Sequence, residues 1–318
     1  MKMMMSARCA ILIFILTTAP ILTKAQTSPS KETPALQKRM DAMASQHRGS
    51  VALYAKNLQT GDVLRIDPDH VVQTASVIKL AIFVEAFHNI KDGKKSLADK
   101  VVFKPEDRVV GSGILQFMHA PLELSLEDVI VLMMIESDNT ATNLMIDQVG
   151  LKNVNARIAS LGLKNTYLYK KVYKPAEGPM PADQKTYGLG KTTAREMAVV
   201  MESIERCELG DKKLCEKMID IMKNQQYRNM IPHYIEAEID TSETPSAIAD
   251  KLGMLDAVRI DVGIVYTKNG PIVISAFTYN NKDQRWTFEN EGELLIARMA
   301  KAIVDSWSPK GVVSDKAK

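Results

Sequence analysis

The chain is 318 residues long, 46% hydrophobic and 25% charged, with 41 basic residues against 38 acidic ones. That length can bury one large core or two modest lobes, and the near-balanced charge gives no footprint for a nucleic-acid partner. The five histidines (His47, His70, His88, His119 and His233) show no metal-ligand spacing and no C-x-x-C follows residue 25, so neither a metal nor another cofactor is expected.

The chain opens with Lys2 and Arg8, runs through apolar residues from Ala10 to Leu22, and reaches Thr23-Lys24-Ala25. This is the order of a secretory signal peptide, and the run, broken by Pro20, falls short of the about 20 residues that span a membrane. Residues 1–25 are therefore expected to be cleaved near Ala25 on export to the periplasm or medium, leaving no stable membrane anchor. They hold Lys2, Arg8 and Lys24 and no acidic residue, so the mature chain carries 41 − 3 = 38 basic and 38 acidic residues. Cys9 leaves with the signal. Cys207 and Cys215 remain, and an oxidising compartment allows a disulfide between them; two separate thiols near adjacent helix ends are the alternative.

Residues 26–34 read as a flexible lead-in and 35–47 as a short helix. Strands follow at 50–55 and 62–66, joined by a turn at Thr60-Gly61. A helix from 76 to 88 shows Leu80, Phe83, Val84 and Phe87 on one face. The next starts at a capping box, Ser125 with Asp128, runs to Glu136 and breaks at Ser137-Asp138-Asn139; another spans 140–148 and ends at Gly150. Thr193 and Glu196 form a second box, opening a helix to about Cys207. Strands at 247–252, 258–266 and 272–279 come next, the last two flanking the hairpin signal Asn269-Gly270. A terminal helix carries Leu294, Leu295, Met299, Ile303 and Val304, and 308–318 reads as a polar tail. Strands from both ends flanking a helical middle predict an α+β fold. One antiparallel five-stranded sheet is flanked by helices, with an all-α lobe inserted, and residues 35–307 form a single catalytic domain.

Three short motifs carry the chemistry. Ser76-Val77-Ile78-Lys79 opens a helix, where a spacing of three puts Lys79 within reach of the Ser76 hydroxyl. The unpaired N–H groups of a helix start favour an oxyanion and a neutral lysine, and burial moves the lysine the same way. That suits an activated nucleophile. Ser137-Asp138-Asn139 sits between helices: Asp138 or Asn139 caps the following helix, and Ser137 can pass a proton to a leaving nitrogen while Asn139 holds a substrate amide. Lys251-Leu252-Gly253 lies on a strand, where Gly253 admits close approach to the backbone.

In this order and context the motifs resemble those of the class A β-lactamase and penicillin-binding serine hydrolases, S-x-x-K, S-D-N and K-T-G. The resemblance also takes in Glu136-Ser-Asp-Asn-Thr-Ala-Thr-Asn-Leu144 and nearly all of 35–307. It implies acylation of Ser76, Lys79 as base or proton shuttle, Ser137 and Lys251 completing the proton network, and an oxyanion hole from the backbone N–H groups of Ser76 and Met254. It also implies a small β-lactam or a peptidoglycan-like peptide as substrate, and a monomer.

Two positions depart from the family pattern. Leu252 stands where a Thr or Ser hydroxyl would bind the substrate carboxylate. Arg259 on the next strand could supply that contact; a solvated strand charge is the alternative. The deacylating carboxylate, counted back from Thr192-Thr193, falls at Glu177, in Pro-Ala-Glu-Gly-Pro-Met-Pro rather than the family's loop. Glu177 is either that base or a surface carboxylate. Three functions follow: a β-lactamase, a D-alanyl-D-alanine peptidase or other serine hydrolase on the same fold, and a binding protein that is acylated without turnover.

Overall fold

A computed structural model describes residues 33–236 and 246–313. The expected signal peptide, most of the expected lead-in and the last five residues lie outside the described residues. In chain order the elements are α1 (Thr33–Ser45), β1 (Ser50–Asn57), β2 (Val63–Ile66), β3 (Val72–Gln73), a 3-10 turn (Ala75–Ile78) and α2 (Lys79–Lys91). Then come β4 (Lys100–Phe103), β5 (Leu122–Ser125), α3 (Leu126–Ile135), α4 (Asn139–Val149), α5 (Leu151–Ser160) and β6 (Tyr167–Leu168). The chain continues through α6 (Gln184–Tyr187), β7 (Gly190–Thr192), α7 (Ala194–Glu205), α8 (Lys212–Lys223) and α9 (Ile231–Ile235). It closes with β8 (Ile248–Leu255), β9 (Val258–Thr267), β10 (Gly270–Tyr279) and α10 (Glu291–Trp307).

The main sheet runs β2-β1-β10-β9-β8, antiparallel throughout, so the first hairpin does join the last three strands. Alternation along these strands feeds two cores. One face packs on α1, α9 and α10, through Leu53, Leu252, Val265, Ile274, Ile296 and Trp307. The other packs on the helical lobe, through Ile260, Ile264, Phe277, Phe83, Met133 and Met201. The helical lobe, which supplies α2 to α8, is inserted between β2 and β8 of this sheet.

Several expectations change. The stripe expected on one face of the 76–88 helix becomes a helix buried all round, since every residue from Lys79 to Phe87 is buried. Ser125 and Asp128 make the full reciprocal capping box. Thr193 caps α7 through the Glu196 N–H, but the Glu196 carboxylate turns away to Thr166 Oγ1 (2.6 Å) and the Asn165 N–H (2.9 Å). The tail is not simply polar. Lys268 N–H donates to Gly311 O and Val313 N–H to Tyr266 O, laying residues 311–313 along the end of β9. Cys207 and Cys215 form a disulfide, with Cα atoms 5.5 Å apart, that ties the end of α7 to α8.

Candidate active site

Ser76 is half-buried in the 3-10 turn that leads into α2, between the sheet and the helical lobe. The turn is entered through Ala75, whose φ of 44° places a non-glycine residue in the left-handed region. Strand β8 passes close behind it. A Cβ on Gly253 would lie 2.8 Å from Ser76 N and 3.0 Å from both Ala75 Cβ and Val77 N, so only glycine lets the strand approach this far.

The β8–β9 register gives the second backbone donor. Tyr266 N–H donates to Ala247 O, which makes Gly253 and Ile260 a hydrogen-bonded pair and Met254 and Arg259 a non-bonded one. Since β8 is an edge strand, the Met254 N–H points out of the sheet's free edge, on the side of the Ser76 turn. The N–H groups of Ser76 and Met254 are thus both available to an oxygen held there.

Lys79 is wholly buried on the first turn of α2. Its Nζ donates to Ser137 O, to Ser137 Oγ (3.1 Å) and to Asn139 Oδ1 (3.0 Å). The expected hydrogen bond from Lys79 to Ser76 is not made; Ser137 takes its place. Burial, and then the nearby Lys251 charge, hold the Lys79 amine well below the ordinary lysine range, with Asp138 opposing them. Lys251, also wholly buried, donates to Ser137 Oγ (3.1 Å) and to Leu252 O (2.8 Å), and burial lowers it to about 8. One hydroxyl, Ser137 Oγ, therefore lies 3.1 Å from each of two buried amines. Such an arrangement can move a proton between an attacking hydroxyl and a leaving atom.

Ser137 reaches this position through a break between α3 and α4 in which its φ is 52°. Asp138 caps α4 through the Ala141 N–H (2.8 Å), and its other oxygen accepts the Leu115 N–H (2.7 Å). The capping reading of the motif therefore holds for Asp138. Asn139 accepts from Lys79 and donates to Val110 O (3.1 Å), so its amide is committed to ordering the site.

Sequence reading missed the loop that clamps this break. Ser112 Oγ donates to Ser137 O (2.7 Å) and contacts Asn139 Oδ1 (3.3 Å), and Asn139 N–H donates to Ser112 O (3.1 Å). Gly111 and Gly113 flank Ser112 with φ of 95° and 98°, and a Cβ on Gly113 would fall within 2.3 Å of Asp138 Cα. Gly111-Ser112-Gly113 was the available signal. Asn143 was missed too; its side chain clamps the Val172 backbone on both sides, Nδ2 to Val172 O (2.9 Å) and Val172 N–H to Oδ1 (2.8 Å).

Two sequence candidates point away from the site, and a third is not tied to it by hydrogen bonds among the described residues. Leu252 alternates away from Ser76 into the α1/α10 core, so its side chain does not line the site. Arg259 points the same way and is wholly buried. It pairs with Glu293 (2.8 Å), donates to Val258 O and Arg285 O, and stacks on Trp286. Both earlier readings of Arg259, anion contact and solvated charge, are corrected to a structural ion pair. Glu177 is exposed on the loop before α6, and among the described residues no hydrogen bond joins it to Ser76, Lys79 or Ser137.

A serine turn packed on the edge of a five-stranded antiparallel sheet, with two buried lysines converging on a second serine, belongs to the class of β-lactamase-like hydrolases. The model of the β-lactamase enzyme family matches residues 35–307, and the chain belongs to that family. A solved β-lactamase from Sphaerobacter thermophilus is 28% identical, with a TM-score of 0.72 over 86% of this chain and 96% of that one. A mutant of PBP-A, solved as an acyl-enzyme complex with penicillin G, shares the fold at 24% identity, with a TM-score of 0.74 over 88% of this chain and 98% of that one. The β-lactamase regulatory protein BlaB of Streptomyces cacaoi is 25% identical over 138 residues, 42% of this chain and 44% of that relative's length. The chain thus matches less than half of that curated relative. No helix among the described residues is long and apolar enough to cross a membrane.

Proposed function

We propose that the protein is an exported, monomeric β-lactamase that forms an acyl-enzyme on Ser76 and then hydrolyses it, without a cofactor. The observation that carries this reading is Ser137 Oγ, 3.1 Å from both Lys79 Nζ and Lys251 Nζ beside the Ser76 turn. Lys79, whose amine burial moves well below the ordinary lysine range, gives up its proton and then takes that of Ser76 as Oγ bonds to the lactam carbonyl carbon. The N–H groups of Ser76 and Met254 receive the oxyanion, and the charged Lys251 adds a positive field. As the C–N bond breaks, Ser137 returns the proton to the leaving nitrogen. Water then attacks the ester carbonyl carbon and gives its proton to the Lys79 amine, and as the C–O bond to Ser76 breaks Lys79 returns a proton to Ser76 Oγ.

A second reading, a penicillin-binding protein or peptidase whose lactam acyl-enzyme persists, is favoured by the exposed position of Glu177. Incubating the mature protein with a chromogenic cephalosporin, and following colour and intact mass together, separates the two. Continuous colour release without a lasting adduct supports the β-lactamase. One burst with a stable adduct per chain supports the second reading. Neither colour nor adduct would sink both.

A further inference from the structure

Strand β8 carries Asp250 and Lys251 in succession, and alternation sends them to opposite faces of the sheet. Lys251 reaches Ser137; Asp250 enters the core shared with α1 and α10. There it meets Asp261 of β9. In the register Asp250 opposes Gly263 and Leu252 opposes Asp261, so the two aspartates are diagonal neighbours on one face. Gly263 makes the room: a Cβ there would lie 3.0 Å from Asp250 Cβ.

Both carboxylates have no solvent exposure, and each spends one oxygen on an outside donor. Asp261 Oδ2 accepts the Ile231 N–H (2.9 Å), and Asp250 Oδ1 takes a long contact from Arg228 Nη1 (3.3 Å). The other oxygens, Asp250 Oδ2 and Asp261 Oδ1, are buried without a partner among the described residues. Two adjacent ionised carboxylates with orphaned oxygens are disfavoured twice, by desolvation and by repulsion; one proton between them removes both penalties.

Among the described residues, the other charges on this face have partners of their own. Arg228 gives Nη2 to Glu236 and Ser246, and Arg259 pairs with Glu293. His233 of α9 is turned to the Tyr234 ring. Lys251, on the far face, has the Asp250–Asp261 pair as its source of opposite charge.

We propose that Asp250 and Asp261 hold a single proton between them, so that the pair presents one negative charge behind Lys251 and keeps that lysine charged toward Ser137. Asp261, which accepts backbone N–H groups, retains the charge, and Asp250 carries the proton and donates it to Asp261 Oδ1. Burial followed by the Asp261 charge raises Asp250 well above the carboxylate range, and burial raises Asp261 to about 6. Both are positioning residues, and the kinetic half of the idea rests on the proposed acylation of Ser76.

Infrared spectra of the mature protein without substrate test the shared proton directly. At pH 7 a protonated-carboxyl carbonyl band is expected that is lost in Asp250→Asn. The pH profile of acylation by a chromogenic cephalosporin tests the effect on Lys251. Acylation should fall as pH rises through about 8, where Lys251 loses its proton. Asp250→Asn, whose amide still donates to Asp261, should leave that limb in place, whereas Asp261→Asn should move it down by about one pH unit. Absence of the band from the wild type would overturn the proposal, as would equal displacement of the limb by both substitutions. Should a variant fail to fold, or acylation prove absent, the wild-type spectrum still decides, so failure here is distinct from failure of the Ser76 reading.

Discussion

Gly253 is where strand and serine turn come closest, and the tolerance there is small. An alanine Cβ would sit 2.8 Å from Ser76 N, against backbone rather than a yielding side-chain end. Forcing such a contact costs about 1–3 kcal/mol, and pushing β8 off the turn misplaces a backbone donor whose loss is typically about 10²–10³-fold. Gly253→Ala should therefore melt earlier and acylate at least about a hundredfold more slowly, read by stopped-flow with a chromogenic cephalosporin. An unchanged rate would separate Met254 from the oxyanion. Glu177 lies at the other extreme. It is exposed and no hydrogen bond ties it to the lysines, so Glu177→Gln should leave acylation and deacylation within about twofold, since surface substitutions usually cost little. A trapped acyl-enzyme in that variant would restore Glu177 as the base, the role its spacing from Thr192-Thr193 suggested.

At the scale of elements, the long signals were legible and the short or enclosed ones were not. Ser125 with Asp128, Asn269-Gly270 and the periodicity of α10 each mark their elements because cap, turn and stripe are local chemistry. β3, β6 and β7 are two or three residues long, too short for alternation to register. The Leu252 and Arg259 readings failed because nothing in the sequence says which face of β8 or β9 meets Ser76. The Cys207–Cys215 link is an element-scale staple: it closes the short α7–α8 connection, and a loop of this size contributes about 2–3 kcal/mol by restricting the unfolded chain. Replacing both cysteines by serine should lower unfolding free energy by about that amount in urea titration while leaving acylation intact. A doubly substituted protein as stable as the wild type would show the staple to be idle.

Over the whole molecule, the sheet closes only when the first hairpin meets the last three strands, so the site assembles from segments far apart in sequence. Ser76 enters from the turn before α2, Ser137 from the break before α4 and Lys251 from β8. Their order along the chain was readable, because each motif sits at a helix start, a helix break or a strand. Their convergence on Ser137 Oγ rather than on Ser76 Oγ was not, since it depends on the clamp of Ser112 and the backbone turn at Ser137. Everything proposed for the site requires Ser76 to be the nucleophile. The most direct measurement is intact mass followed by peptide mapping after exposure to penicillin G, on the mature protein and its Ser76→Ala variant. One penicilloyl group is expected on the Ser76 peptide of the wild type quenched at short times, and none on Ser76→Ala. An adduct that persists in Ser76→Ala, or maps to Ser137, would contradict it.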